Sequence, residues 1–583
     1  MKNVKNLFGM AVMATALVGC SSNDNLNPNA NEGAGKAGTA YASFKINLPT
    51  TSGTRAADDG KPTFAEGTAD EYEVKNGTIL IFDTDGKFVE SAELGTMNPW
   101  TKDTDPNGVT TAAAATVQLH NVKVGTSYKA LVLLNNNVNV DATTTTKKVT
   151  LPSVGDSYYT WSAAVGNANA SKYESTADGI FMANAPKYEA TKDPTTFVDL
   201  NSVYASREQA QANPATVVYV ERGLAKVTMD DFASNYPIAA GTYKGDNVKI
   251  VNWQLDVTNK ATFPIHQADL KSEWSAVWSE PRFYDTERTS AFKRVYWGTD
   301  PNYSGTDNLT LTNCKTAFKM IGNGDVKGLA GIANPQYCLE NTFDLDNMKQ
   351  GQTTRVVFKA VYTPKGFTAP EKTFYKVANN TAIWHEADLK QQIKTLAIKA
   401  MGITTTAEQE KYDVKLDAPT NNISGEAGQH FIKTANITFS DATGTYTSKV
   451  DDRVIKEINE KLGLSEADPT THKEKVGIST YLNGEAYYIA RIMHFNTLTP
   501  WEPGQPTYKA ASLTLDQSNK KYLGRYGVLR NNWYELSVSK ISNLGYPEVP
   551  EVKPNLPDDE NDQYINVEVK ILDWAKRTQE IEL

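Results

Sequence analysis

Short runs in which apolar and polar residues alternate, separated by Gly, Asn, Asp and Pro, recur along most of this chain. A period of two puts alternate side chains on opposite faces of a strand. Ala42, Phe44, Ile46 and Leu48 alternate with Ser43, Lys45 and Asn47. Ile565, Val567, Val569 and Ile571 alternate with Asn566, Glu568 and Lys570. Between these two come GTILIFDTDGKFVES (77–91), ATVQLHNVKVGTSYKALVLLNN (115–136), VVYVERGLAKVTM (217–229), NVKIVNWQLDVTNK (247–260), TTRVVFKAVYTP (353–364), GEAYYIARIMHF (484–495) and NNWYELSVSKI (531–541). Strands spaced by turn signals predict β-sandwiches. The 28 Tyr and 19 Phe against 10 Met lean the same way.

Two stretches depart from the pattern with helical spacing. Residues 384–402 place Leu389, Ile393, Leu396, Ala397 and Ala400 on one face. Residues 451–463 do so with Val454, Ile455, Ile458 and Leu462, and Asp451 and Asp452 stand at the positive N-terminal end. A polar, helix-prone stretch near 204–214 is expected to separate two sandwiches, with VERGLAKV (220–227) at the junction.

The ends are built differently from the body. Lys2 and Lys5 precede an apolar run, Leu7 to Gly19, too short to span a bilayer but suited to a signal peptide. The run closes on Leu17-Val18-Gly19-Cys20, which has the form of a lipoprotein lipobox; an ordinary signal with an incidental Cys is the alternative. Residues 21–40 hold little that could pack a core and read as a tether. After the first alternating strand comes a polar loop containing Arg55 and Ala56, which is either a protease site or a solvated loop. Near the other end, residues 543–563 are rich in Pro and acids and are expected to be extended and unpacked, with a reach of roughly 60 Å at about 3 Å per residue. The strand after them could pair in its own sheet or in a neighbouring molecule.

Material for catalysis is sparse. The six His are scattered, and none forms the i, i+4 pair of a zinc site. There is no Gly-x-Ser-x-Gly elbow or phosphate loop, and GNGDVKG (322–328) reads as a loop. Asp83-Thr84-Asp85-Gly86 reads as a hairpin turn because the Glu that closes a calcium loop is missing. Cys314 and Cys338 are either one disulfide or two buried thiols. A net charge of −9 argues against a nucleic-acid binder. No catalytic residue, metal site or cofactor is assigned. A carbohydrate-binding surface lipoprotein of a glycan-uptake system is the alternative reading, since ten Trp and 28 Tyr could stack on sugars. A secreted glycosidase is a third, supported only by abundant acids.

Taken in order, the lipobox at Cys20, AYASFKINLP followed by GTRAADDG, VERGLAKV, RVVFKAVYTPKG (355–366), VLRNNWYELSVSKISNLGYP (528–547) and YINVEVKILDWAKRTQEIEL (564–583) resemble the fimbrillins of Bacteroidales, or type V pilins. Among these, the likeness is to the shaft subunits of the short, minor fimbriae of Porphyromonas. The resemblance implies a mainly β protein: two transthyretin-like β-sandwich domains, with a few helices in the second, and a detachable C-terminal donor strand. The implied divisions are a lipoprotein signal peptide (1–19), a propeptide carrying lipidated Cys20 and the first strand (20–55), an N-terminal sandwich (56–220), a C-terminal sandwich (221–543), a Pro/acidic linker (544–563) and a donor segment (564–583). It also implies cleavage between Arg55 and Ala56, removal of the strand bearing Ala42, Phe44, Ile46 and Leu48, and its replacement by Ile565, Val567, Val569 and Ile571 of another subunit. The implied partners are copies of itself, anchor and tip accessory subunits, a maturation protease, and host or bacterial surface ligands. The expected setting is a cell-surface fimbrium serving adhesion and biofilm formation, with an outer-membrane lipoprotein precursor exported through the periplasm. Membrane contact is expected only through the precursor's lipid.

Overall fold

The computed structural model describes residues 39–49, 68–95, 101–102, 109–139, 145–164, 168–169, 171–174, 176–189, 192–267, 293–295, 297–303, 310–342, 347–367, 371–416, 429–466, 476–494, 524–554, 556, 558 and 565–573. Cys20, the Arg55–Ala56 bond and the signal and tether before residue 39 lie outside the described residues. The chain is mainly β.

Seven strands carry the N-terminal sandwich: β1 (Ala40–Pro49), β2 (Gly77–Phe82), β3 (Phe88–Glu93), β4 (Val109–Leu119), β5 (Tyr128–Leu134), β6 (Met182–Asn184) and β7 (Thr216–Arg222). They hydrogen-bond in the order β3-β2-β5-β6-β7-β1-β4. β7 is shared: Thr216 to Tyr219 pair with β1, whereas Val220 to Arg222 pair with β6. The sheet folds over at this strand, and its two halves enclose a core of Phe44, Ile46, Leu48, Ile79, Ile81, Val132, Leu134, Val218 and Val220. The continuous apolar run of β2 is buried at every residue, because its second face, Leu80 and Phe82, meets another cluster containing Trp161, Phe197, Leu224, Ile265, Leu339 and Trp533. The turn from β2 to β3 is the expected hairpin. The Asp83 carboxylate accepts from the Asp85 and Lys87 amides, and Gly86 supplies a φ of 76°.

The chain passes from β7 through Gly223 and Leu224 into a second sandwich. Its strands are β8 (Ala225–Met229), β9 (Asn247–Asp256), β10 (Gln336–Cys338), β11 (Arg355–Thr363), β12 (Glu485–Arg491), β13 (Asn532–Ile541) and β14 (Ile565–Asp573). One sheet runs β10-β8-β13-β14; the other runs β9-β11-β12, with Tyr236–Pro237 on its β9 edge. Val227, Met229, Trp253, Leu255, Phe358, Tyr488, Tyr534 and Leu536 fill the space between them. Neighbouring antiparallel strands can be joined by a two-residue turn, yet β11 and β12 are separated by an insert with its own core. That core holds both expected helices, Glu386–Ala400 and Asp452–Lys461, through Leu389, Ile393, Ala397, Val454 and Ile458. Asp451 caps the second helix, its carboxylate accepting from the Val454 amide at 2.9 Å.

Two expectations change. The helix-prone stretch does form a helix, Arg207–Ala212, but it packs on β1 and β4 instead of separating the sandwiches. The Pro/acidic stretch after β13 is packed, not loose. Tyr546 exchanges two backbone hydrogen bonds with Tyr487, and the Val549 amide donates to Asn323 Oδ1 at 2.7 Å. Arg355 donates to the Pro550 carbonyl at 2.7 Å, and Arg491 to that of Asp558 at 2.8 Å. Proline and acid content signals poor core-forming capacity, but it leaves backbone carbonyls, and these arginines use them.

Candidate functional site

β1 is the first described element, yet it occupies an interior place in its sheet, with β7 on one side and β4 on the other. It runs parallel to β7, with Phe44 opposite Thr216 and Ile46 opposite Val218. It runs antiparallel to β4, from Ala40 opposite Leu119 to Leu48 opposite Thr111. Ala40, Ala42, Phe44 and Ile46 are 0% exposed and Leu48 1%. The alternation read from the sequence therefore matches the buried face. Burying Phe44, Ile46 and Leu48 stabilises the strand by roughly 5–9 kcal/mol. Taking β1 away would uncover that apolar floor and two rows of backbone groups.

β14 lies in the second sandwich of the same chain, at an edge of its sheet, antiparallel to β13. Ile571 stands opposite Tyr534, Val569 opposite Leu536, Val567 opposite Val538 and Ile565 opposite Ile541. The structure thus holds the two terminal strands in different sheets: one inside, one on an edge. An edge strand has one row of partners, so it is the easier of the two to detach. In the segment between β13 and β14, Asp558 is 5% exposed and accepts from the Thr353 hydroxyl at 3.1 Å.

Between the sandwiches lies a buried ionic cluster that sequence reading did not find. Glu71, in the one-turn helix Ala69–Tyr72, pairs with Lys226 at 2.6 Å and accepts from the Tyr337 hydroxyl at 2.5 Å. Arg222 donates to the Glu71 carbonyl and to Asn531 Oδ1. Burial opposes the charge on Glu71, but the bonds from Lys226 and Tyr337 hold its carboxyl below the usual range. Burial lowers Arg222 to about 10, with Glu71 opposing. Alongside, His266 Nδ1 meets Glu221 at 2.7 Å and Arg530 pairs with Glu340. The Lys226 ammonium also sits 3.7 Å from the centroid of the Trp533 ring. VERGLAKV is thus the hinge of sequence between two sheets, and its Glu, Arg and Lys are all spent inside the junction. Its buried charges were the available signal; Glu71 carried none.

Cys314 and Cys338 are both buried thiols, which removes the disulfide alternative. Cys338 ends β10, facing the sandwich core, while Cys314 lies in the helix Leu311–Ala317 against Gly351. Burial pushes the Cys314 thiol up to about 11 and Cys338 higher still. Among the described residues no group of His, Cys, Asp and Glu is arranged to hold a metal ion. Of the described tryptophans, Trp161, Trp253, Trp297 and Trp533 are all under 9% exposed and Trp384 is half-buried.

Comparison with known proteins bears on the C-terminal region. Residues 479–580 match the family described as major fimbrial subunit protein type IV, fimbrillin, C-terminal. That span takes in β12, β13, the packed segment after it, and β14. A fimbrial assembly protein of solved structure from Parabacteroides distasonis ATCC 8503 is 14% identical, over 58% of this chain and 90% of that one, with a TM-score of 0.26. No curated protein matches the chain. Over residues 479–580 the chain is similar to the C-terminal region of fimbrillins, the subunits of major fimbriae.

Proposed function

We propose that this chain is a structural shaft subunit of a cell-surface fimbrium, and that it polymerises by protease-triggered strand exchange. The carrying observation is the placement of β1: an interior strand, fully buried on one face, tied to the rest of the chain only through residues 50–67. Cleavage between Arg55 and Ala56 cuts that tie. Residues 20–55, with the lipid on Cys20, then leave together. The vacated groove takes the C-terminal strand of another copy, whose Ile565, Val567, Val569 and Ile571 replace Ala42, Phe44, Ile46 and Leu48. Four aliphatic side chains at about 2 kcal/mol each contribute roughly 8 kcal/mol before entropic costs, and main-chain hydrogen bonds add affinity. A one-residue slip would turn the plugs to solvent.

The chain passes between the two sandwiches at Gly223–Leu224, and the Glu71 contacts with Lys226, Arg222 and Tyr337 tie them across that junction, which suits a shaft subunit. The intact leader keeps the groove filled until proteolysis, so lipid release and assembly become one event. Anchor and tip subunits would cap the two ends, and adhesion and biofilm formation follow from the exposed filament. The test is limited trypsin treatment of the precursor: cleavage after Arg55 with ladders on unboiled gels is expected, and deletion of 564–583 should abolish the ladders and leave a folded monomer. Equal polymerisation by the truncated protein would overturn the reading.

A further inference from the structure

The groove left by β1 has features beyond its apolar floor. The loop after Val203 reaches over the start of the strand. Tyr204 exchanges two backbone hydrogen bonds with Tyr41, each 2.8 Å. Arg207 lies over the Tyr41 ring, its guanidinium carbon 5.6 Å from the centroid, and donates to the Thr116 carbonyl at 3.1 Å. The Ser43 and Thr116 hydroxyls are hydrogen-bonded at 2.9 Å. The strand's outer face is therefore read at two positions: an aromatic ring at 41 and a small hydrogen-bonding side chain at 43.

The C-terminal segment repeats this order in the same chain direction. Tyr564-Ile565-Asn566-Val567-Glu568-Val569-Lys570-Ile571 stands against Tyr41-Ala42-Ser43-Phe44-Lys45-Ile46-Asn47-Leu48. Tyrosine falls on tyrosine, Asn566 on Ser43, and an apolar residue on each inward position. The reverse direction also keeps apolar residues inward, but it puts Leu572 under Arg207 and Lys570 beside Thr116, where the Arg207 charge already sits. Like charges brought together there are unfavourable.

We propose that the C-terminal strand of a second copy enters the groove in the direction of β1, with Tyr564 under Arg207 and Asn566 beside Thr116, so that Tyr204, Arg207 and Thr116 set its register. This rests on the strand-exchange reading above. The inward fit is unequal along the strand: Ile565 is larger than Ala42, and Val567 smaller than Phe44. The Phe44 site is left underfilled.

Cysteine pairing tests the register. Directly opposed antiparallel residues have Cα atoms about 4.5–5.5 Å apart, within the span of a disulfide. Trypsin-cut Thr116→Cys protein is mixed, under mild oxidant, with full-length chains carrying one cysteine in the C-terminal strand. Asn566→Cys should crosslink to it at least ten-fold more than Ile565→Cys, Val567→Cys, Glu568→Cys or Lys570→Cys. Preference for Lys570→Cys would show the opposite direction, and preference for Glu568→Cys a two-residue slip. Either overturns the proposal while leaving strand exchange standing. Absence of every crosslink together with absence of wild-type ladders would remove both the register and the reading beneath it. Arg207→Ala should weaken capture of the wild-type strand about two- to five-fold and leave capture of a Tyr564→Ala strand unchanged. Equal losses with both strands would overturn the placement of Tyr564.

Discussion

Replacing Phe44 by Ala in the precursor isolates the role of β1. Phe44 is 0% exposed and packs in the core with Ile79, Ile81 and Val132, while its backbone sits between Thr216 and Ala115. Truncating a buried Phe costs about 3–5 kcal/mol. The strand lies inside the sheet, so the whole loss is felt while β1 is seated and none once it has left. At about 1.4 kcal/mol per factor of ten, the cut leader should depart about two to three and a half powers of ten faster. Precursors of both kinds, cut with trypsin under the same conditions, are followed by the time course of ladders on unboiled gels, and the uncut proteins by thermal melting. The variant should melt lower when uncut and show a much shorter lag to ladders once cut. A lowered melting temperature with an unchanged or longer lag would refute the reasoning, because seating of β1 would then not limit assembly.

Three further outcomes follow from the packing. Glu71→Gln leaves the Lys226 ammonium buried without its partner charge and should cost about 3–5 kcal/mol in urea unfolding; a cost below 1 kcal/mol would show that the cluster does not hold the sandwiches together. Burial pushes Asp300 up to about 7 from its ordinary 3.8. The stability linked to this raised acid is fully present below about 3.8 and is lost as pH rises through 7, at about 1.4 kcal/mol per pH unit within that window. Melting across that range should show the decline, and Asp300→Asn should flatten it. An Asn323→Cys, Val549→Cys pair, placed where the Val549 amide meets Asn323, should form ladders equally well oxidised or reduced, because the segment before Asp558 stays docked. Ladders only after reduction would mean that the whole arm must lift.

The strands were legible wherever one face is buried and the other wet, because that asymmetry writes a period of two into the sequence. Ala42 to Leu48 is the clearest case, and both helices of the insert were legible by the same logic at period 3.6. What each strand pairs with was not legible. Nothing local tells that β1 lies between residues near 115 and 217, or that β14 sits beside β13. The segment 544–558 was misjudged because its packing uses backbone carbonyls and amides, which are blind to residue type. Cys314 and Cys338 offered two readings because thiol and disulfide are both compatible with burial. Of the groove, the apolar floor was visible in advance; Tyr204, Arg207 and Thr116 come from distant parts of the chain and act through position alone. Glu71 stayed hidden for the same reason.

The central claim is that one copy's C-terminal strand fills the place left by another copy's β1. It is tested most directly by mixing two forms that each have half of the contact. One is protein cut after Arg55 and lacking 564–583, with a groove but no strand to give. The other is the uncut full-length precursor, with a strand to give but no open groove. The account predicts a one-to-one dimer that grows no further, seen by light scattering coupled to size exclusion, while either form alone stays monomeric. Absence of the dimer, or growth beyond it, would contradict the account.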